Sequence, residues 1–448
     1  MREVRIRDTL SGEVRPLEPH SEVGIYACGP TVYSRIHIGN ARPFVVFSLL
    51  ARFLRREGYT TKLVVNITDI NDKIYEAAAA AGRPSDAFAA EMSRAYIEDT
   101  ARLELGRPDS EPLASETLGE IVALISALID AGHAYESGGD VYFRVRSFEG
   151  YGKLSNRRPE DMDQGEEAGT ESLKEDRLDF ALWKARKEDE DTWWDSPWGR
   201  GRPGWHIECS AMAEAELGPS FAIHGGGSDL LFPHHENEIA QSEAARGVPL
   251  ARIWMHNGMV ELDAEKMSKS EGNIFQLSEA LDRFGRDAVV AYLISGHYRQ
   301  PLAFGEEVLE ESLARVERLR NFLRERGTEE EPGDAAVAAR ERFLDALADD
   351  FNTAEALAEA FKLVAAAREG DAPGAGAALA QMLEVVGLES LAQPEDEPDP
   401  EAERLLAERQ QARGERDFER ADRIRDKLAE LGWEVRDTAE GARLVRRH

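Results

Sequence analysis

Residues 24–67 spell out a strand, a loop, a helix and a second strand, and that order limits the possible folds more than any other stretch of the chain. Gly24-Ile25-Tyr26-Ala27-Cys28 reads as a short buried strand ending at Gly29-Pro30. Residues 41–57 then place Phe44, Phe47, Leu50 and Leu54 at helical spacing and stop at Gly58, and residues 62–67, with Leu63-Val64-Val65, are the next strand. Two strands joined by a helix over so short a length make a parallel sheet, with ligands at the carboxyl ends of its strands. Cys28 falls at such an end.

The sheet resumes at Phe221-Ala222-Ile223-His224, just before Gly225-Gly226-Gly227, followed by a helix over 233–246 and a strand over 253–259. Residues 1–84 and 201–265 therefore form one α/β domain, a Rossmann-like doubly wound parallel sheet, interrupted by an inserted region over 85–200. The insertion shows helical spacing over 118–132, a strand-like 140–146 and charged, loop-rich sequence over 149–200. Leu309, Leu313, Val316, Leu319 and Leu323, then Phe343, Leu347, Leu357, Phe361 and Val364, predict a helical bundle over 305–391. A polar, proline-rich linker over 392–400 leads to a small C-terminal α+β module, 401–448. There Phe418, Ala421, Ile424, Leu428 and Leu431 line a helix face ending at Gly432, and 433–437 pairs with 442–446 as a hairpin around Glu440-Gly441.

The longest apolar run, 44–51, is broken by Ser48 and is far short of the roughly 20 residues that span a bilayer. Residues 1–10 lack the apolar stretch of a secretory signal, so a cytoplasmic protein without a membrane span is expected. The net charge of −31 excludes a general nucleic-acid coat protein, because attraction to phosphates needs clustered Lys and Arg. Residues 401–448 carry twelve basic and twelve acidic residues, so a polyanion meets far less repulsion there than over the first 400.

Three constellations carry chemistry. His37-Ile38-Gly39-Asn40 opens a helix, where unpaired N–H groups and the positive dipole end favour phosphate; the competing reading of His37 is a structural hydrogen-bond donor. Lys266-Met267-Ser268-Lys269-Ser270 puts two ammonium groups three residues apart in a polar loop able to close on phosphates, unless it is only a solvated loop. Cys28 and Cys209 are the chain's two cysteines, and a cytosolic pair of this kind points to metal, catalysis or plain burial before a disulfide. His234 and Glu238 stand at i and i+4 on one helix face. With the two thiols they make an S, S, N, O set of the kind zinc accepts. The alternative is two inert thiols beside a helix-capping pair, with His206, His224 and His235 as rival ligands or outer partners. The triple glycine allows close backbone approach to a ligand, Asp229 can accept from ribose hydroxyls, and Trp205 is either pocket floor or core.

These motifs, together with Asn66-Ile67-Thr68-Asp69-Ile70-Asn71-Asp72-Lys73, residues 203–212 and 254–259, and Gly296-His297-Tyr298-Arg299, resemble the cysteinyl-tRNA synthetases, class I aminoacyl-tRNA synthetases, over essentially the whole chain. The resemblance implies one Zn2+ on Cys28, Cys209, His234 and Glu238. It implies catalysis by His37 and Asn40 of the first ATP signature and Lys266 and Lys269 of the second. ATP contacts extend to Gly227 and Asp229, and substrate contacts are Gly29, Thr31, Thr68 and Trp205. The most familiar form of the first signature ends in His, where Asn40 stands here.

By the same resemblance the chain activates L-cysteine with ATP and Mg2+ and transfers it to tRNA(Cys). Residues 266–304 hold the signature loop and stem contacts, 401–448 recognise the anticodon, and the protein acts as a monomer. The rival readings are a small-molecule cysteine ligase of the mycothiol pathway and a catalytically silent RNA-binding scaffold.

Overall fold

A computed structural model describes residues 2–18, 22–158, 173–262, 265–266, 275–370, 372–393, 400–414, 417–438 and 441–446. Its centre is a sheet of four parallel strands, ordered Ala251–Asn257, Phe221–Gly227, Glu22–Ala27 and Thr60–Val65. The first strand lies inside the sheet, with its successor on one side and the later half of the fold on the other. The crevice at its carboxyl end is therefore the topological switch point, where ligands of open α/β sheets bind.

The two-residue period of a strand sorts the faces. Ile25, Ile223 and Met255 share a buried cluster with Phe44, Phe47, Leu50 and Leu54 of helix Ile38–Arg56, the residues whose spacing predicted that helix. Val64, Tyr26, His224 and Trp254 stand side by side in the register of the opposite face. Helices Trp205–Leu217 and Glu236–Arg246 bring Met212 and Ile239 into the cluster on that side. Cys28 comes two residues after Tyr26 and belongs to the same cluster. A slip of one residue in the first strand would exchange its two sets of side chains and carry Cys28 to the wrong side.

The insertion keeps the expected helix and a strand at Asp140–Phe143 but departs from the loop expected over 149–200. After helices Asp72–Ala80 and Ser85–Ala101, Ser110 and Leu113 bridge to Val64 and Ile67 along the edge of the main sheet. Helix Leu118–Asp130 then leads to a five-stranded sheet ordered Ala134–Ser137, Asp140–Phe143, Phe180–Ala185, Gly199–Pro203 and Trp194–Ser196. Gly199-Arg200-Gly201-Arg202-Pro203 has no apolar alternation to announce a strand. Gly201 is there for room: a Cβ on it would lie 2.1 Å from the carbonyl oxygen of Lys184.

Beyond the central sheet, Val260–Leu262 pairs in parallel with Leu302–Phe304 and antiparallel with Glu265–Lys266. Helices Glu306–Arg326, Asp334–Ala348, Thr353–Glu369 and Ala375–Val385 form the expected bundle. Leu309, Val316, Leu319, Leu323, Phe343, Leu347 and Val364 are buried there, and Leu313, Leu357 and Phe361 are partly so. Of the linker expected over 392–400, Ala392 closes the short helical turn Glu389–Ala392, Pro400 opens the next helix, and 394–399 lie outside the described residues. In the C-terminal module a helix, Pro400–Gly414, precedes Phe418–Glu430, and Trp433–Thr438 pairs with Gly441–Arg446 in the expected hairpin. Leu431 falls just past its helix and is exposed, whereas Ala421, Ile424 and Leu428 are buried. Among the described residues no helix is long and apolar enough to cross a membrane.

Candidate active site and metal centre

Four chain segments meet on the second face, at the carboxyl end of the central strands. Cys28 follows the strand Glu22–Ala27, and Cys209 lies in the second turn of Trp205–Leu217. His234 belongs to the turn Leu231–His235, and Glu238 to the first turn of Glu236–Arg246. One donor atom from each lies within 4.8 Å of the other three, and all four residues are buried. Cys28 Sγ is 3.7 Å from His234 Nε2 and 3.5 Å from Glu238 Oε1. Tetrahedral bonds of about 2.0–2.3 Å separate donors by roughly 3.3–3.8 Å, so these spacings suit zinc. The third, His234 Nε2 to Glu238 Oε1, is 3.0 Å, a hydrogen bond.

Two of the four side chains, Cys209 and Glu238, are also biased toward the anionic form a metal takes. Burial pushes the Cys28 thiol well up, and a hydrogen bond from Cys28 pulls the Cys209 thiol down to about 6 against its own burial. Burial disfavours the His234 imidazolium, yet Glu238 and Cys209 together outweigh it and lift the group to about 10, so a metal would have to displace its proton. Glu238 is itself held well below the usual carboxylate range, burial being overcome by His224 and His234. The donor set thus contains a thiolate and a carboxylate before any ion arrives.

The rival histidines sit one step outward. His206 Nδ1 is 2.9 Å from His234 Nδ1, and burial holds His206 far below its ordinary pKa, so neutral His206 accepts and leaves His234 Nε2 aimed at the sulfurs. His224 Nε2 is 2.8 Å from Glu238 Oε2, which turns Oε1 toward Cys28. His235 Nδ1 pairs with His256 Nε2 at 2.8 Å, and His256 Nδ1 meets Thr9 Oγ1 at 2.9 Å. Cys28, His224 and His235 pass the same spacing test as a trio, but His224 Nε2 is committed to Glu238, and the trio has one sulfur and no carboxylate. His224→Leu keeps apolar bulk against Trp254 while deleting the donor to Glu238. It is expected to weaken metal binding about 10- to 100-fold in a chelator competition. Unchanged affinity would remove His224 from the support of the site.

Above Cys28 opens a cavity of about 310 Å³. Gly29, Thr31, His37, Asn40, Trp205, Gly227 and Asp229 all line it, as do Lys73 and Tyr33, to which sequence reasoning gave no role. Trp205 stacks on the His234 imidazole, with ring centroids 4.3 Å apart, so a ligand in the cavity touches a side chain that braces one of the four candidate donors. Thr68 is 1% exposed and is not among the lining residues. It bridges Thr31 through the backbone and accepts from Asn66 Nδ2 at 3.1 Å.

His37 is the N-cap of Ile38–Arg56. Its Nδ1 accepts from the Gly39 N–H at 3.1 Å, which puts the ring proton on Nε2. Asn40 Oδ1 accepts from the His37 N–H at 3.3 Å and completes a capping box, a task its amide performs in the place of the more familiar histidine. Lys266 is fixed by backbone pairing opposite Glu261; Lys269 lies outside the described residues. Phe275 and Leu277 lie directly beside the first signature: Ile38 N–H donates to Phe275 O at 3.0 Å, and Leu277 N–H to Ile36 O at 3.1 Å. The chain after the second signature is thereby tied to the cavity through Ile36, and Lys266 is held on the strand that follows Met259.

Sequence reasoning also missed Arg42. The one available signal was a cation one turn into a helix otherwise apolar from Ala41 to Leu50 but for Pro43 and Ser48. It is fully buried, and its guanidinium donates to four backbone carbonyls.

Residues 14–314 match the family of tRNA synthetases class I (C) catalytic domains, 342–388 a DALR domain, and 395–443 the cysteinyl-tRNA ligase anticodon binding domain. A methionyl-tRNA synthetase of Mycobacterium tuberculosis bound by methionyl-adenylate shares the fold, with a TM-score of 0.61 at 16% identity, covering 83% of this chain and 93% of that one. Fold and site together define a class I aminoacyl-tRNA synthetase. The cysteine–tRNA ligase of Halorhodospira halophila is 47% identical over 98% of this chain and 99% of its own length, and that of Shouchella clausii 43% identical over 99% of each. The chain belongs to the cysteine–tRNA ligase family.

Proposed function

We propose that the cavity takes ATP and L-cysteine together. The cysteine carboxylate forms a bond to the α-phosphorus as the bond to pyrophosphate breaks, and the cysteinyl group of the adenylate then passes to the 3′-terminal ribose of tRNA(Cys). The observation that carries this reading is one cavity with a thiolate-bearing donor set at one wall and a capped helix N-terminus at the other. Zinc held by Cys28, Cys209, His234 and Glu238 supplies a soft Lewis acid that favours a thiolate over the harder serine hydroxyl.

The chain's own groups do the rest. His37 Nε2–H, Asn40 and the helix dipole stabilise the phosphates of ATP, which enters with Mg2+. Lys266 and Lys269 offset the charge growing on pyrophosphate. Gly227 leaves room for Asp229 to fold over its backbone, since a Cβ there would lie 2.4 Å from Asp229 Oδ1, and Asp229 accepts from the ribose. Gly29, Thr31 and Trp205 shape the amino-acid end, and Thr68, buried behind the cavity wall, supports it only through its backbone bridge to Thr31. Residues 1–84 and 201–265 are the catalytic domain, 85–200 the connective insertion, 266–304 the signature loop and stem contacts, 305–391 the bundle, and 401–448 read the anticodon. The protein works as a monomer in the cytoplasm.

Metal removal tests the reading. One zinc per chain is expected, and stripping it should lower cysteine-dependent ATP–pyrophosphate exchange by at least about 100-fold, with recovery on adding zinc back. Serine-dependent exchange should stay roughly 10⁴-fold below that of cysteine. Cysteine and serine activation that ignore the metal would sink the assignment.

A further inference from the structure

Arg42 is the least expected charge in the molecule. It sits on helix Ile38–Arg56 one turn beyond His37, is fully buried, and has no carboxylate partner among the described residues. Nη1 donates to the carbonyls of Gly258 at 2.6 Å, Met259 at 3.2 Å and Gln300 at 2.7 Å, and Nη2 to that of His297 at 3.2 Å. A buried guanidinium is costly to desolvate and is kept where its fork of donors meets several acceptors at once.

The four acceptors belong to two crossing connections. Gly258 and Met259 line the nucleotide cavity and lead straight into Val260–Leu262, the strand against which Glu265–Lys266 folds back. His297 and Gln300 belong to the turn before Leu302–Phe304, the other neighbour of that strand. The two connections touch backbone to backbone: Gly258 N–H donates to Tyr298 O at 2.7 Å, and a Cβ at Gly258 would lie 2.3 Å from Gln300 O. One side chain on the helix of the first signature therefore holds the root from which the second departs.

We infer that Arg42 is a positioning residue that sets the distance between the two ATP signatures, acting on adenylate formation through the Lys266 segment. This rests on the role proposed above for Lys266. Since misplacing a catalytic group by about 1 Å costs roughly 100-fold, Arg42→Lys, a point charge without the planar fork, should lower kcat of cysteine-dependent ATP–pyrophosphate exchange about 30- to 100-fold. The cysteine KM should stay within about threefold and zinc content unchanged, because the metal group hangs on other segments.

A double-mutant cycle with Lys266→Ala separates positioning from bulk stability. If Arg42 works through Lys266, adding Arg42→Lys to Lys266→Ala should cost less than about threefold more. Tyr298→Phe, which loses the 2.8 Å bond to Asp350 in the same turn, should lower thermal stability with little loss of exchange. Should the lysine variant not fold, Arg42→Gln, which keeps two donors and buries no charge, carries the same cycle. Additive losses, full activity in the Arg42 variant, or an equal loss in Tyr298→Phe would each overturn the inference. Absence of exchange in the unmutated protein would instead remove the functional reading itself.

Discussion

Cys209→Ser is expected to abolish stoichiometric metal binding and to lower kcat/KM for cysteine in ATP–pyrophosphate exchange by at least about 1,000-fold, about 4 kcal/mol at 1.36 kcal/mol per decade. The substitution changes size little and charge entirely. In the native chain the Cys209 thiol is pulled to about 6 and supplies an anion beside His234, which is raised to about 10. A serine hydroxyl does not ionise near neutral pH, so His234 keeps only Glu238 as its anionic partner, and the donor set loses the sulfur that distinguishes a zinc site from a polar cluster. Metal analysis by plasma emission, exchange with cysteine and with serine, and a melting curve on one sample decide the matter. A Cys209→Ser protein that holds one metal per chain and keeps its preference for cysteine would show that the four residues are not the ligand set. A loss of activity accompanied by unfolding would be repeated with Cys209→Ala, which leaves no unpaired hydroxyl in the core.

Much of this centre was readable in the sequence because strand parity is rigid. Ile25 and Tyr26 must face opposite sides, Cys28 must follow Tyr26, and the i, i+4 spacing of His234 and Glu238 holds across the start of their helix. What could not be read was which histidines touch the ligands and which touch each other. His206, His224, His234 and His235 are near-equivalent as letters, and their roles follow from which ring nitrogen points where, a product of tertiary packing on Trp254 and Trp205. Apart from the strand at Asp140–Phe143, the antiparallel sheet of the insertion was missed for another reason. Gly199–Pro203 is chosen for backbone clearance, and its charges find partners, as Arg202 does with Glu190 at 2.9 Å, so hydrophobic alternation never appears. Arg42 reads in sequence as a helix-surface cation, and only the two loops that converge on it make its burial tolerable.

Gly29→Ala is expected to lower stability by about 3 kcal/mol and to carry the metal site with it. The resemblance assigns Gly29 to substrate contact, and it lines the cavity, but its geometry gives a more basic reason for glycine. Its N–H donates to Asn66 Oδ1 at 2.9 Å, and a Cβ would lie 1.8 Å from the Asn66 carbonyl oxygen and 3.3 Å from Val65 Cγ1. The nearest obstacle is backbone, so no rotamer change relieves it, and the ends of Glu22–Ala27 and Thr60–Val65 must separate. Cys28 cannot simply follow, because its own N–H is tied to Gly225 O at 2.9 Å on the other side. Separation of the strands therefore moves Cys28 relative to Cys209, His234 and Glu238, and metal affinity should fall by roughly 100-fold, as when a ligand loses its support. Gly119→Ala is the control: it lies in helix Leu118–Asp130 with open space where its Cβ would stand, and should be neutral or slightly stabilising. Denaturant melts and chelator competition on both variants give the test. If Gly29→Ala melts with the unmutated chain and binds metal as tightly, the joint between the two strand ends is softer than the close approach demands, and the placement of Cys28 does not depend on it.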